Sequence, residues 1–526
     1  MKGSVSHKWA CIISRFAWCF MQNIGAQRNC QSRRMHRWSF RRVDKCAGIS
    51  TALARSIAPL LGGAMLMATR GLQAGNSELN EASLGEKVYS VAQVQEDAAH
   101  LYKTLQASHA NLYARKNKAE YEQAYSHLLS SINGPMRETD VMLRFQHFTA
   151  LGKVAHARID FPAQAYNTYR DNGGKSFPLY FISRNGQLFV NGNYSGDNKI
   201  SLGDELIAFG DEATAQFLTQ LRAHISADND YLADTQLEWR WPAIIWATYG
   251  VREHFDLQFR KGDGERYTVR VLSRTRAEIK TAMEHHQPML DLDMSARSHS
   301  IYDSGIGYLR PGPFYNVDND SGNVWDNSGF EQFVDKGFKA FISANVSSVL
   351  IDLRNNPGGD NSFSDLMLSW FASKPYRFYS RFDVKVSEAA IAANQARLPK
   401  DPTNDDSVAQ AYDRAYRQHD LGQVFSFEMP ATIPKAKPYT GKVYLLINRH
   451  SYSNTVLVAA LAQDYGFAKI MGEETADLAS TFGAMEQFHL PHTGISVGFP
   501  KAHIVRPNGD DSARGVIPDI VIETPL

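Results

Sequence analysis

Two apolar runs set the class of fold. Ser347–Arg354 (SSVLIDLR) and Val443–Ile447, inside Gly441–Gly466 (GKVYLLINRHSYSNTVLVAALAQDYG), are short and unbroken, and each leads through a glycine- or serine-bearing elbow into a helical pattern. A strand covered on both faces reads as a continuous apolar run. Strands that alternate with helices build a parallel α/β sheet. The alternation holds from about Ser300 onward, through GIGYLRP, FEQFVDKGFKAFI, SSVLIDLR, FSDLMLSWFA and KVYLLIN.

The elbows carry the first chemical signals. Ser453 stands where the helix after Ile447 begins, and the unpaired N–H groups of a helix start favour developing negative charge on an oxygen. Serine is also an ordinary N-cap, so this residue alone leaves both readings open. Gly358-Gly359, after the strand ending near Arg354, let the backbone turn sharply and aim N–H groups outward. Such groups form half of an oxyanion hole, or simply a strand-to-helix turn.

At 526 residues the chain is too long for one ordinary core, so two or three domains are expected. A formal net charge of +1 gives no electrostatic case for nucleic acid. All four cysteines (Cys11, Cys19, Cys30, Cys46) fall in the first 46 residues, so the body of the chain has neither a disulfide framework nor a cysteine metal site. That leader has basic residues from Arg37 to Lys45, an apolar run from Ile57 to Ala68, and small residues around Ala74-Gly75. The order is that of an export signal, and Met35 fits as an alternative start. The run is too short and interrupted for a membrane span, so no stable insertion is expected once the signal is removed, whereas an uncleaved leader would leave an anchor.

Residues 86–151 carry apolar positions at helical spacing, broken at Gly134-Pro135. Residues 176–275 switch to short alternating strands with Asn-Gly and Asp-Gly turns. There LGDELIAFG resembles the core of a PDZ domain, with Phe209-Gly210-Asp211 in place of the usual Asn-Gly. The expected layout is a leader over 1–78, a helical domain over 79–165, a PDZ-like β-rich domain over 166–280, and an α/β domain over 300–526. Polar helix signals with Pro-rich ends over 375–437 read as an insertion of lid character.

Taken in order, IGYL, VLIDLRNNPGGD, YLLINRHSYSNT with QDYGFAKIMGEET, and RGVIPDIVIE resemble the S41 peptidases, the tail-specific and tricorn-core relatives. The resemblance implies a ClpP/crotonase-like parallel sheet with helices, and a serine nucleophile at Ser453. Asp464 also matches the family pattern. One branch pairs the serine with a lysine about 25 positions downstream; that place is Leu478, and no lysine stands nearby. The tricorn-like branch uses a histidine from the N-terminal helical domain. Its place falls on His156 within Ala155-His156-Ala157-Arg158, with Ala155 where that branch has a serine. Its acid lies three residues before the glycine of Gly515-Val516, which is Ser512 here, so Asp511 is the nearest substitute, although Asp510 and Asp511 also suit a turn after Asn508-Gly509. His450, His489, His492 and His503 are rival bases.

The expectation is therefore an exported serine endopeptidase or C-terminal processing peptidase, without cofactor or metal, acting on peptides or unfolded proteins. Ser453 attacks, His156 is the base, Asp511 the acid, and Gly358, Gly359 and Asn454 supply oxyanion N–H groups. A substrate C-terminus would add to the PDZ-like domain as a strand. Two alternatives remain: a catalytically inactive S41-like binding protein, and a serine esterase on the same scaffold. Neither substrate preference nor oligomeric state follows from these residues.

Overall fold

The computed structural model describes residues 87–290, 292–317, 323–398 and 407–524. The leader features, including all four cysteines, lie outside the described residues. Among the described residues no helix is long and apolar enough to cross a membrane.

The chain enters through three helices, α1 (Val91–Ser108), α2 (Lys118–Ser131) and α3 (Glu138–Ala150). Capping boxes fix the first two starts, Ser90 with Gln93 and Asn117 with Glu120. An antiparallel sheet follows, ordered β1 (Leu179–Arg184), β2 (Gln187–Asn193), β3 (Glu205–Phe209), β4 (His254–Arg260) and β5 (Arg266–Leu272). Asn185 and Gly186, at φ of 51° and 78°, make the tight turn between β1 and β2 that the Asn-Gly pair predicts. Helices α4 (Asp230–Leu237) and α5 (Trp241–Tyr249) lie between β3 and β4 in sequence. Trp241 is fully buried and donates its indole N–H to the Phe181 carbonyl at 2.8 Å, so this aromatic stretch is core.

Next come β6 (Ser298–Ile301), β7 (Ile306–Arg310), α6 (Ser328–Ser343), β8 (Ser348–Asp352) and α7 (Asn361–Leu368). They are followed by β9 (Arg381–Lys385), α8 (Glu388–Gln395), α9 (Val408–Arg417) and β10 (Val424–Ser426). The last third holds β11 (Lys442–Ile447), α10 (Asn454–Tyr465), β12 (Lys469–Gly472), β13 (Thr481–His489), β14 (Ser496–Val505) and β15 (Ile520–Val521).

The main sheet runs β6-β7-β8-β11-β12-β15 and is parallel from β7 to β15, with β6 antiparallel at the edge. Val349, Ile351, Leu445 and Ile447 share a core with Phe338, Phe341, Val456 and Leu461 from the flanking helices. Burying each such side chain is worth about 1.5–3 kcal/mol, which makes the sheet a rigid base for its loops. Because β8 and β11 are parallel neighbours, with Asp352 beside Leu446, their carboxyl ends open onto the same edge. Ligand-binding loops of such sheets gather at that edge.

The 375–437 segment does not stand apart from the core. It supplies β9 and β10 to a second sheet, ordered β10-β9-β14-β13 and antiparallel throughout. Phe382, Val384 and Tyr412 from this segment share one core with Leu101, Leu105 and Phe145 of the N-terminal helices and with Phe499 of β14.

Candidate active site

Ser453 begins α10 with φ 55° and ψ −123°, and its side chain makes no cap bond. The N-cap reading is therefore not realised. A non-glycine residue in that region costs about 1–3 kcal/mol and persists only where its surroundings enforce it. Part of the enforcement comes from the loop after β8, which fixes the residues before the serine. Asn448 donates its amide to Asn355 Oδ1 at 2.9 Å, and its own Oδ1 accepts the Asn355 N–H at 3.1 Å. The Ser451 hydroxyl donates to the Leu353 carbonyl at 2.9 Å, and the Tyr452 N–H to the Asn356 carbonyl at 3.0 Å. The two strand-end loops are thus laced together directly beneath the serine.

The glycine pair lies within that lacing. A Cβ on Gly358 would stand 2.6 Å from the Tyr452 carbonyl oxygen, 2.8 Å from the Asn454 nitrogen and 2.9 Å from Ser453 Cβ. Gly358, at φ +85°, can therefore only be glycine at this approach. The Gly358 N–H is spent on Asn356 Oδ1 at 2.9 Å. Neither the Gly359 nor the Asn454 N–H has a recorded partner among the described residues. Of the glycines, Gly359 is the one with a donor to offer.

His156 follows α3 on a loop that the Arg158 segment pins to β14. The Arg158 N–H donates to the Gly498 carbonyl at 3.0 Å, and the Gly498 N–H returns to the Arg158 carbonyl at 2.8 Å. The His156 ring stacks beside Tyr452, with centroids 6.1 Å apart and planes 19° apart, which brings it next door to Ser453. The two residues share no hydrogen bond. His156 Nδ1 is buried without a partner, and the Phe482 carbonyl faces the ring. Burial, with the Arg158 guanidinium nearby, pushes the imidazole down to about 4.

Asp511 stands elsewhere. Its carboxylate holds His503 Nε2 at 2.9 Å and Arg381 Nη2 at 3.1 Å, and it makes no bond to His156 or Ser453. Asn508 Oδ1 accepts the Asp510 N–H at 2.8 Å, the local turn bond that Asp and Asn favour after Asn508-Gly509. Among the described residues no carboxylate of the chain beyond β14 bonds His156. Three rival histidines are also engaged: His450 Nε2 lies 2.6 Å from Glu238, His492 Nε2 lies 2.6 Å from Glu96, and His503 pairs with Asp511. The Leu478 side chain is buried at the position where the lysine of the other branch would stand.

Two carboxyls that the motif reading passed over come closest to the pair. The Ser453 N–H donates to Asp477 Oδ2 at 2.7 Å, and Asp477 is 1% exposed. The Ala155 N–H donates to Asp228 Oδ2 at 3.1 Å. Burial and then the neighbouring Asp228 push Asp477 up to about 7, and burial pushes Asp228 up to about 6. The sequence signal for Asp477 is its place beside Leu478; Asp228 carries none.

Comparison with known proteins agrees with this architecture. Residues 306–522 match the family model of peptidase family S41. Mature CPAF complexed with lactacystin superposes at a TM-score of 0.59 with 16% identity, over 82% of this chain and 94% of that one. Mature CPAF alone gives 0.57 and 16%, over 82% and 92%. At such identity the likeness speaks to the fold. The parallel strands β7 to β15, the elbow and the glycine turn all fall inside the matched segment, so residues 306–522 form a domain of peptidase family S41, which makes the chain a serine peptidase by class.

Proposed function

We propose that this serine peptidase cleaves peptide bonds in unfolded polypeptides through an acyl-enzyme on Ser453. The observation that carries the reading is the strained Ser453 main chain, packed against Gly358 and followed by the Asn454 N–H at the carboxyl edge of a parallel sheet. His156, neutral at physiological pH, takes the serine proton as the hydroxyl oxygen attacks the scissile carbonyl. The Gly359 and Asn454 N–H groups hold the oxyanion, His156 returns the proton to the leaving amine, and water then releases the acyl group. Asp511 has only an outer part: it holds His503, whose ring stacks 4.7 Å from that of Phe482, the residue whose carbonyl faces His156. The antiparallel sheet over 179–272 has the PDZ-like role of receiving a substrate C-terminus as an added strand. The pattern of the leader supports export.

A second reading is favoured by one observation: His156 Nδ1 has no acid partner, as in a binding protein that kept the groove and lost turnover. Hydrolysis of unfolded casein by the wild type beside Ser453→Ala and His156→Ala separates the two. Turnover that vanishes in Ser453→Ala supports the peptidase. Undiminished turnover in both variants sinks it, and wild-type binding without turnover favours the binder. A panel of small esters run alongside tests the esterase, and fractionation of producing cells tests export.

A further inference from the structure

We propose that Asp477 is a positioning residue for the nucleophile, holding the Ser453 main chain in its strained elbow, and that with Asp228 it forms a buried acid pair tying both catalytic segments together. The inference rests on Ser453 and His156 being the reacting pair. It starts from a question left by the geometry, namely what keeps Ser453 at φ 55° when its side chain caps nothing. The loops beneath fix Tyr452 and Ser451, but Ser453 itself is held by its N–H, at 2.7 Å from Asp477 Oδ2. The same carboxylate accepts the Leu478 N–H on Oδ1 at 3.0 Å.

The Asp477 loop is anchored in turn. Thr475 Oγ1 donates to the Asp477 carbonyl at 2.9 Å and accepts the Val516 N–H at 2.9 Å. A Cβ on Gly515 would stand 1.8 Å from the Thr475 carbonyl oxygen, so the Gly515-Val516 turn is what lets this loop close behind the elbow. On the other side, Asp228 accepts the N–H of Ala155, the residue before His156, and its Oδ1 has no hydrogen-bond partner. One carboxyl therefore grips the main chain at the nucleophile, and the other grips it beside the base.

Charge gives the pair a second use. When His156 takes the serine proton it becomes a cation in a dry site, with Arg158 opposing it. No carboxylate touches the ring, so negative charge close by must steady it through space. The groups facing Asp477 are Asp228, Arg158 and Tyr452, with the Ser453 and Leu478 N–H groups on its oxygens. Arg115 lies 3.9 Å from Asp228. Ionised Asp477 is the form that accepts both N–H groups and supplies charge, so kcat should rise as pH rises through about 7.

The test is kcat and KM on unfolded casein from pH 5 to 9 for the full chain, with Asp477→Asn, Asp228→Asn and Ser453→Ala. Asp477→Asn should lose roughly ten- to a hundredfold in kcat, with KM within about twofold and the rise near neutral pH gone. Asp228→Asn, which removes the repulsion, should move that rise to lower pH; a merely structural carboxyl would not, and this variant carries the test if Asp477→Asn does not fold. Full kcat or an unmoved pH profile in these variants, beside an inactive Ser453→Ala, overturns this inference alone. Activity that survives Ser453→Ala overturns it together with the reading it rests on.

Discussion

The two halves of the candidate site are built differently. On the nucleophile side Asn448, Ser451, Asn355 and Asn356 join two neighbouring strand ends with direct hydrogen bonds, and Gly358 is fitted to its surroundings within 3 Å. On the base side His156 rides on a loop held by the exchange of two backbone bonds between Arg158 and Gly498 and by a ring stack, and its Nδ1 meets nothing. The nucleophile and oxyanion donors are preorganised by local bonds between adjacent strands. The base depends on docking between regions distant in sequence. On the proposed mechanism stabilisation of charge belongs to the first half and proton transfer to the second, so the halves should fail in different ways.

The largest effect tests whether the nucleophile half carries the chemistry at all. Ser453→Ala should reduce kcat by about 10⁴-fold or more, read as casein hydrolysis. Removing the base should cost less, about 10²–10⁴-fold for His156→Ala, because the oxyanion donors remain in place. Since His156 must be neutral to accept the proton, wild-type kcat/KM should also drop as pH falls through about 4, and that limb should be missing from the variant's profile. An unchanged acid limb in His156→Ala would assign the proton to another group.

Gly358→Ala sharpens the comparison from the packed side. Its Cβ meets the Tyr452 carbonyl oxygen at 2.6 Å at a φ of +85°, and the strain should cost about 1–3 kcal/mol of stability along with kcat. Thermal unfolding beside active-site titration measures both; a variant as stable and as active as the wild type contradicts the close approach. Asn448→Ala removes both buried bonds to Asn355 and should cost about 1–3 kcal/mol in urea unfolding. Asp511→Asn should do least, under about 1 kcal/mol in stability and less than about tenfold in kcat/KM, because its ion pairs are exposed. A hundredfold loss there would return Asp511 to the catalytic group.

What could be read before the structure divides along the same line. The continuous runs at Ser348–Asp352 and Lys442–Ile447, the Gly358-Gly359 turn and the elbow at Ser453 are local patterns, and each became the element that its periodicity predicts. His156 as a candidate base came only through resemblance, since nothing in Ala155-His156-Ala157 marks one. Asp228 and Asp477 act by accepting main-chain N–H groups from Ala155 and Ser453, and a backbone donor leaves no trace in the residue types around it. The polar signals of 375–437 led to an insertion of lid character. Phe382, Val384 and Tyr412 carried the contrary evidence, because their burial partners lie on helices about 240–310 positions upstream.

The core that the N-terminal helices share with β9 and β14 bears on when this enzyme is able to act. Asp97 on α1 accepts the His492 and Thr493 N–H groups at 2.9 Å each, joining points 395 and 396 residues apart, and the final strand of the main sheet is Ile520–Val521. At about 5–20 residues per second of synthesis, the roughly 300 residues between His156 and Ser453 take about 15–60 seconds to emerge. Throughout that interval the ribosome holds a chain whose proposed base has nothing to activate. With Ser453 and His156 as the proposed pair, synthesis through Ile520–Val521 is itself the safety catch, and a chain cut before that strand should be made without ever becoming a protease.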